Sequence, residues 1–245
     1  MFAGNDQAEQ KNGDKVTSTD TVPEIDAGPR LRIDGTRPLS PELVSEVQMF
    51  IDQAVSRTGV PVIHLSGAPS AAPGEIGIQL VSKWERALRH LERLDTPTIA
   101  VAQGDCGGVA LETLLCTDYR LATGDLRLLV TTGTDAGATW PGMGLYRLAN
   151  QVGVGRVRRA VLFGTPIPVA EAKALNLIDE IVADPTDAIA AADTLAAARS
   201  GAELAIARQL LFDATTTSFE EALGRHLAAC DRRLRRARNG DGIDR

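Results

Sequence analysis

The residues best placed to do chemistry lie between Pro97 and Asp118, in the stretch PTIAVAQGDCGGVALETLLCTD. The apolar run Thr98–Ala102 reads as a buried strand, the glycine-rich segment Gly104–Gly108 as a turn, and the residues through Cys116 as a helix. The first N–H groups of a helix have no intrahelical acceptor and sit at the positive end of its dipole. Gly107 and Gly108 carry no side chain, so a ligand oxygen can come close to the backbone there. A phosphate is one anion such a place can hold, and an enolate or thioester oxygen is another. The segment is neither Gly-x-Gly-x-x-Gly nor Gly-x-x-x-x-Gly-Lys-Ser/Thr, which counts against a nucleotide loop. Glu112 follows a little over one turn after Gly108, among Val109, Ala110, Leu111, Leu114 and Leu115. A carboxylate in such company is costly unless it is paired, hydrogen-bonded or near the surface. Burial would raise its pKa toward neutrality, where a carboxyl works as a general acid or base. The competing reading is a structural glutamate paired with an arginine such as Arg120 or Arg147.

Other reactive types give less. Cys106, Cys116 and Cys230 form no Cys-x-x-Cys pair and have no histidine at metal-ligand spacing, so no metal site and no disulfide framework is expected, and reduced thiols in a reducing compartment fit best. Cys106 sits where a helix start could activate a thiol, a weaker alternative to Glu112. There is no Gly-x-Ser-x-Gly elbow. Of the three histidines, His64 ends an apolar run and reads as a core histidine rather than a base. Trp84 and Trp140 read as core or pocket wall. The net charge of −6 argues against general nucleic-acid binding, which needs an excess of Lys and Arg. The segment Arg225–Arg238 is arginine-rich against this trend. It reads as a solvated helix face or, more sharply, as a patch for an anionic group.

Stepping outward, these residues need a scaffold of alternating strands and helices. Residues 1–29 are polar and aperiodic and read as a flexible leader. Leu31–Ile33 begins the strands. Ser40-Pro41 caps and opens a helix carrying Leu43, Val47, Phe50, Ile51 and Val55 at helical spacing. Val60–Leu65 is a buried strand, Ser66–Gly77 a loop, and Ile78–Leu94 a helix with Ile78, Val81, Trp84, Leu88 and Leu91 on one face. Tyr119–Ala122, Leu126–Val130 and Ile178–Val182 read as further strands. Helices are expected over 145–151, 154–163, 169–175, 187–199, 202–212 and 219–238. This order implies an α/β fold with a largely parallel sheet over 30–183 and a helical region over 184–245. With 44% hydrophobic residues the core is affordable, and with no apolar run long enough for a membrane span or a signal segment the protein is expected to be cytoplasmic.

Taken together, several stretches resemble the crotonase (enoyl-CoA hydratase/isomerase) superfamily. Pro97, Gln103-Gly104, Gly107-Gly108, Glu112 and Asp118 follow its signature. Ala71-Ala72-Pro73-Gly74-Glu75-Ile76 is similar to its Ala-Gly-Ala-Asp-Leu loop. Pro141-Gly142-Met143-Gly144-Leu145-Tyr146-Arg147-Leu148 resembles its Pro-Gly-x-Gly-Gly-x-x-Arg-Leu, one residue shorter, and Phe163-Gly164 with Ala170–Leu177 fits a fourth stretch. The resemblance covers about residues 30–183. It implies the ClpP/crotonase-like ββα spiral core, a substrate carried as an acyl-CoA thioester with no further cofactor, and a homotrimer or hexamer. It implies an oxyanion hole made by the backbone N–H groups of Ala72 and Val109, with Glu112 as the catalytic acid or base and Gly107, Gly108 and Trp140 at the pocket.

One departure matters. Hydratases of this family use a second glutamate in a Phe-Gly-x-Pro-Glu stretch. Here Gly133 falls at that position, and Asp135 is the nearest acid. Simple water addition is therefore doubtful, while one-base proton transfer stays open. The segments Gly104–Gly108, Ala138–Met143 and Val81–Leu88 further resemble one branch of the family, the accessory dehydratases of dihydroxyphenylacetyl-CoA formation in glycopeptide-antibiotic gene clusters. That branch works beside a type III polyketide synthase on a polyketide thioester. The alternatives are a generic enoyl-CoA isomerase and a catalytically weak accessory subunit that keeps the fold and assists a partner synthase.

Overall fold

The computed structural model describes residues 1, 28–70, 76–130, 142–197 and 201–240. Most of the leader expected over 1–29 lies outside these. Gly28 and Pro29 are already buried, and Pro29 accepts a backbone hydrogen bond from Val62. The first strand, β1 (Arg30–Asp34), then leads into α1 (Pro41–Ser56). Ser40 is extended at the N-cap and its hydroxyl accepts from Leu43 N at 3.3 Å. Leu43, Val47, Phe50, Ile51 and Ala54 are buried. Val55, expected on that face, is exposed, because at 100° per residue Ala54 occupies the inward position in its place.

Next come β2 (Val62–Gly67), α2 (Ile78–Leu91), β3 (Ile99–Gly107), α3 (Gly108–Leu114), β4 (Tyr119–Thr123) and β5 (Arg127–Leu129). After the second gap follow α4 (Gly144–Val152), α5 (Val154–Phe163), β6 (Ile167–Pro168), α6 (Val169–Ala174), β7 (Glu180–Val182), α7 (Pro185–Ala197), α8 (Ala202–Asp213) and α9 (Phe219–Gly240). The main sheet runs β1-β2-β3-β4-β7, each neighbour parallel, as the βα alternation requires.

The segment Gly104–Gly107, expected as a turn, is strand. β3 bends at Gly104, whose φ is +60°, and changes neighbour. Ile99–Ala102 pairs with β4, whereas Asp105–Gly107 pairs with β5, and β5 turns back antiparallel to β6. Arg127 clamps the second half of β3 through two hydrogen bonds to Asp105, at 2.7 and 2.8 Å. Glycine content misled here because a kinked strand and a turn share the same demand for positive φ.

The sheet separates two apolar layers by strict alternation. Ala100 and Ala102 of β3 face the large core formed with α1, α2, α3, α4 and α5. Ile99 and Val101 face a smaller layer with Val62, Leu121 and Ala192 of α7. α3 thus starts inside the larger core, which is what buries Glu112.

Candidate active site

The site is built where β3 ends and α3 begins. Gly107 is extended, and a Cβ there would lie 2.9 Å from both Ala68 Cβ and the Leu129 carbonyl. Gly108 has φ +52°, a conformation that disfavours any side chain. The two glycines therefore set the sharp entry that leaves Val109, fully buried, in the first helical turn with no intrahelical acceptor for its N–H. At the other end of α3, the Arg120 guanidinium caps the carbonyls of Leu115 and Thr117 and also donates to Gln151.

Glu112 is 2% exposed. The Trp84 indole Nε1–H donates to its Oε2 at 2.7 Å, and the Gly144 amide donates to its Oε1 at 3.0 Å. A Cβ on Gly142 would fall 2.0 Å from Oε1, so the carboxylate rests directly on that glycine. The expected alternative partners are engaged elsewhere. Arg120 holds the end of α3, and Arg147 Nε donates to Glu92 Oε1 at 2.7 Å. Arg147 Nη1 lies 2.9 Å from Glu85 Oε2 but off the hydrogen-bonding direction, so that contact is electrostatic. Glu85 in turn accepts from Met143 N at 2.6 Å. Glu112 thus occupies a pocket of donors supplied by α2 and the start of α4. A cavity of about 20 Å³, enough for one water, opens beside it and is lined by Gly108, Leu111, Val130, Gly144, Leu145 and Leu148.

The structure brings Gly107, Gly108, Val109 and Glu112 together. Ala72, Gly133, Asp135 and Trp140 lie outside the described residues. Asp118, the last residue of the signature, accepts from Thr98 N and Oγ1 and from Arg208 of α8 at 2.6 and 2.8 Å. It anchors the start of β3 rather than entering the site. Cys106 is fully buried, and burial pushes its thiol up to about 12, which leaves no thiolate to act as nucleophile. His64 is half-buried on β2, its pKa lowered by burial and by Arg32 and Arg30. Among the described residues no group of three or more His, Cys, Asp or Glu is placed to hold a metal ion.

Trp84, expected as core or pocket wall, is fully buried and also donates to Glu112, a contact that sequence reasoning missed. Its place on an apolar helix face concealed it. The usable signal was physical: a fully buried indole must find an acceptor, and a buried carboxylate must find donors.

The sequence matches the enoyl-CoA hydratase/isomerase family model over residues 78–238. It is 51% identical over 210 residues to a protein of Amycolatopsis orientalis named enoyl-CoA-hydratase, an alignment covering 84% of this chain and 95% of that one. Among solved structures, an enoyl-CoA hydratase/isomerase from Cupriavidus metallidurans CH34 superposes with TM-score 0.66 at 19% identity over 80% of each chain. A Thermobifida fusca YX chain assigned as an enoyl-CoA hydratase and solved with CoA gives 0.67 at 20% identity, covering 86% of this chain and 92% of that one. At those identities the structures speak for the fold, which is the crotonase fold. The sequence matches carry the rest: the chain belongs to the enoyl-CoA hydratase/isomerase family.

Proposed function

We propose that this chain dehydrates a polyketide thioester and so assists a type III polyketide synthase in the dehydration and aromatisation that yield dihydroxyphenylacetyl-CoA. One observation carries the reading: a buried carboxylate, Glu112, receives hydrogen bonds from Trp84 and Gly144 at the glycine-shaped start of α3. In the reaction, the thioester oxygen would lie against the backbone N–H groups of Val109 and Ala72, which stabilise the enolate as the α-proton leaves. Glu112 takes that proton, the Cα=Cβ bond forms, the β-oxygen departs, and Glu112 returns the proton to it as water. One carboxylate serves as base and then as acid. Membership of the enoyl-CoA hydratase/isomerase family supports enolate chemistry on a thioester. The thioester is the CoA-bearing molecule, and the reaction calls on no further cofactor. The polyketide substrate and the synthase partner rest on the resemblance of Gly104–Gly108, Val81–Leu88 and Ala138–Met143 to the dehydratase branch.

The test is a reaction of a type III polyketide synthase with malonyl-CoA, run without this protein, with it, and with Glu112→Gln. The wild type is expected to raise the yield of dihydroxyphenylacetyl-CoA. Glu112→Gln should lower the rate of that step by roughly 10²–10⁴-fold while acetoacetyl-CoA still binds with nearly unchanged affinity. The position of Gly133, where a second acid is expected, favours one other reading: a weakly catalytic subunit that helps the synthase without chemistry of its own. Full enhancement by Glu112→Gln would establish that reading and end the first.

A further inference from the structure

We propose that Trp84 is a positioning residue for the reaction, setting through its indole N–H the placement of the Glu112 carboxylate; this rests on Glu112 being the acid/base of the proposed function. Trp84 is fully buried, and its Nε1–H donates to Glu112 Oε2 at 2.7 Å, short for a nitrogen donor and typical of a charge-assisted bond. Indole is a donor only, so it never competes with Glu112 for a proton. The next residue on α2, Glu85, accepts from Met143 N at 2.6 Å and lies 2.9 Å from Arg147, and so fixes the start of α4. The Gly144 amide that donates to Oε1 belongs to that same start. Two consecutive residues of one helix therefore control both oxygens of Glu112, Trp84 directly and Glu85 through α4. Without the indole, the carboxylate would keep its burial and lose one of the donors that hold it, in a cavity with room for about one water to intrude.

The test combines three variants in the synthase reaction with a spectroscopic readout. Trp84→Phe keeps a buried ring and removes the N–H. Its rate is expected to fall on the order of tenfold, the value of one hydrogen bond to a charged group, with acetoacetyl-CoA affinity within about twofold of wild type. The double variant Trp84→Phe/Glu112→Gln should be no slower than Glu112→Gln alone, because a residue that acts only through Glu112 has nothing left to act on. In the full-length wild type, the indole ¹⁵N–¹H resonance lost in Trp84→Phe should move upfield in Glu112→Gln, as a carboxylate acceptor gives way to a neutral amide. A wild-type rate in Trp84→Phe, losses that multiply in the double variant, or an indole resonance that ignores Glu112→Gln would each overturn the inference. A wild-type rate in Glu112→Gln would instead overturn the acid/base reading beneath it.

Discussion

The carboxylate of Glu112 is defined as much by what is missing around it as by its donors. Gly142 leaves the space in which it lies, and a methyl group there would stand 2.0 Å from Oε1, inside any tolerable contact. Gly142→Ala must therefore push the carboxylate off its place or shift the backbone before α4. A displacement of about 1 Å at a reacting group is enough to cost on the order of 10²-fold in rate. We expect a loss of that size for Gly142→Ala in the synthase reaction, with acetoacetyl-CoA binding largely retained. A variant with wild-type turnover would show that the carboxylate has room to relax. Asp135→Asn probes the other carboxyl that the sequence offers. If Gly133 marks a one-carboxylate site, this change is expected to lower the rate less than tenfold, far less than Glu112→Gln. Equal damage from the two would restore a two-carboxylate mechanism. The legibility of these residues in the sequence divides along the same line. Glu112, Gly107 and Gly108 could be found because a charge in an apolar helix and paired glycines are local anomalies. Trp84 and Gly142 could not, because what matters at each is a neighbour 28 or 30 positions away.

At the scale of elements, α2 and α4 are locked together around Glu112 by an ion-pair cluster centred on the buried Arg147 and Glu92. Arg147 reaches Glu92 and Glu85, and Arg89 adds a second bond to Glu92 at 2.9 Å. Burial alone would raise the Glu92 carboxyl; the guanidiniums of Arg147 and Arg89 outweigh it and hold the group below its ordinary value of 4.5. A folded-state pKa lowered in this way contributes stability that is complete above the unfolded value and is lost as pH falls through the folded one. Urea unfolding should therefore show wild type losing stability below about pH 4.5 with a steeper slope than Glu92→Gln. At neutral pH the variant is expected to be less stable by about 1.5–3 kcal/mol, the worth of a hydrogen bond to a charged group. Parallel slopes would remove Glu92 from the acid response. The cluster also explains where element-level reading stopped. Strand and helix identities followed from apolar spacing, as in α1 and β2, since burial against a sheet imposes that spacing. The bend of β3 at Gly104, its second partner β5 and the arginine cluster depend on contacts between distant segments. No local pattern in Gly104–Gly107 distinguishes a kinked strand from a turn.

At the scale of the whole molecule, the region after β7 carries more apolar surface than one chain covers. In α9, Phe219 is 74% exposed, Leu227 57% and Leu234 58%, with Leu223 also exposed. Their spacing of four, four and seven residues places them within one narrow stripe of the helix. Leu211 and Phe212 at the end of α8 add to the exposed apolar area. Among the described side chains of α9, Arg225 pairs with Asp213 and Arg235 with Asp231 at the surface, and each such pair is worth little. An apolar stripe of this kind marks an interface more often than a solvated face; symmetry alone favours a dimer, and it is the resemblance to the crotonase superfamily that points to threefold closure. We therefore expect a homotrimer, or two trimers stacked as a hexamer, with α8 and α9 in the contacts. Burying each large side chain of the stripe would contribute about 1.5–3 kcal/mol. Light scattering at micromolar concentration should give three or six times the 26.0 kDa chain mass. Leu223→Glu combined with Leu227→Glu should release the monomer, and the wild-type melting temperature should rise with protein concentration while that of the double variant does not. A monomeric wild type at that concentration would end the idea and leave the stripe to some other partner. A double variant that stays trimeric would move the interface away from α9.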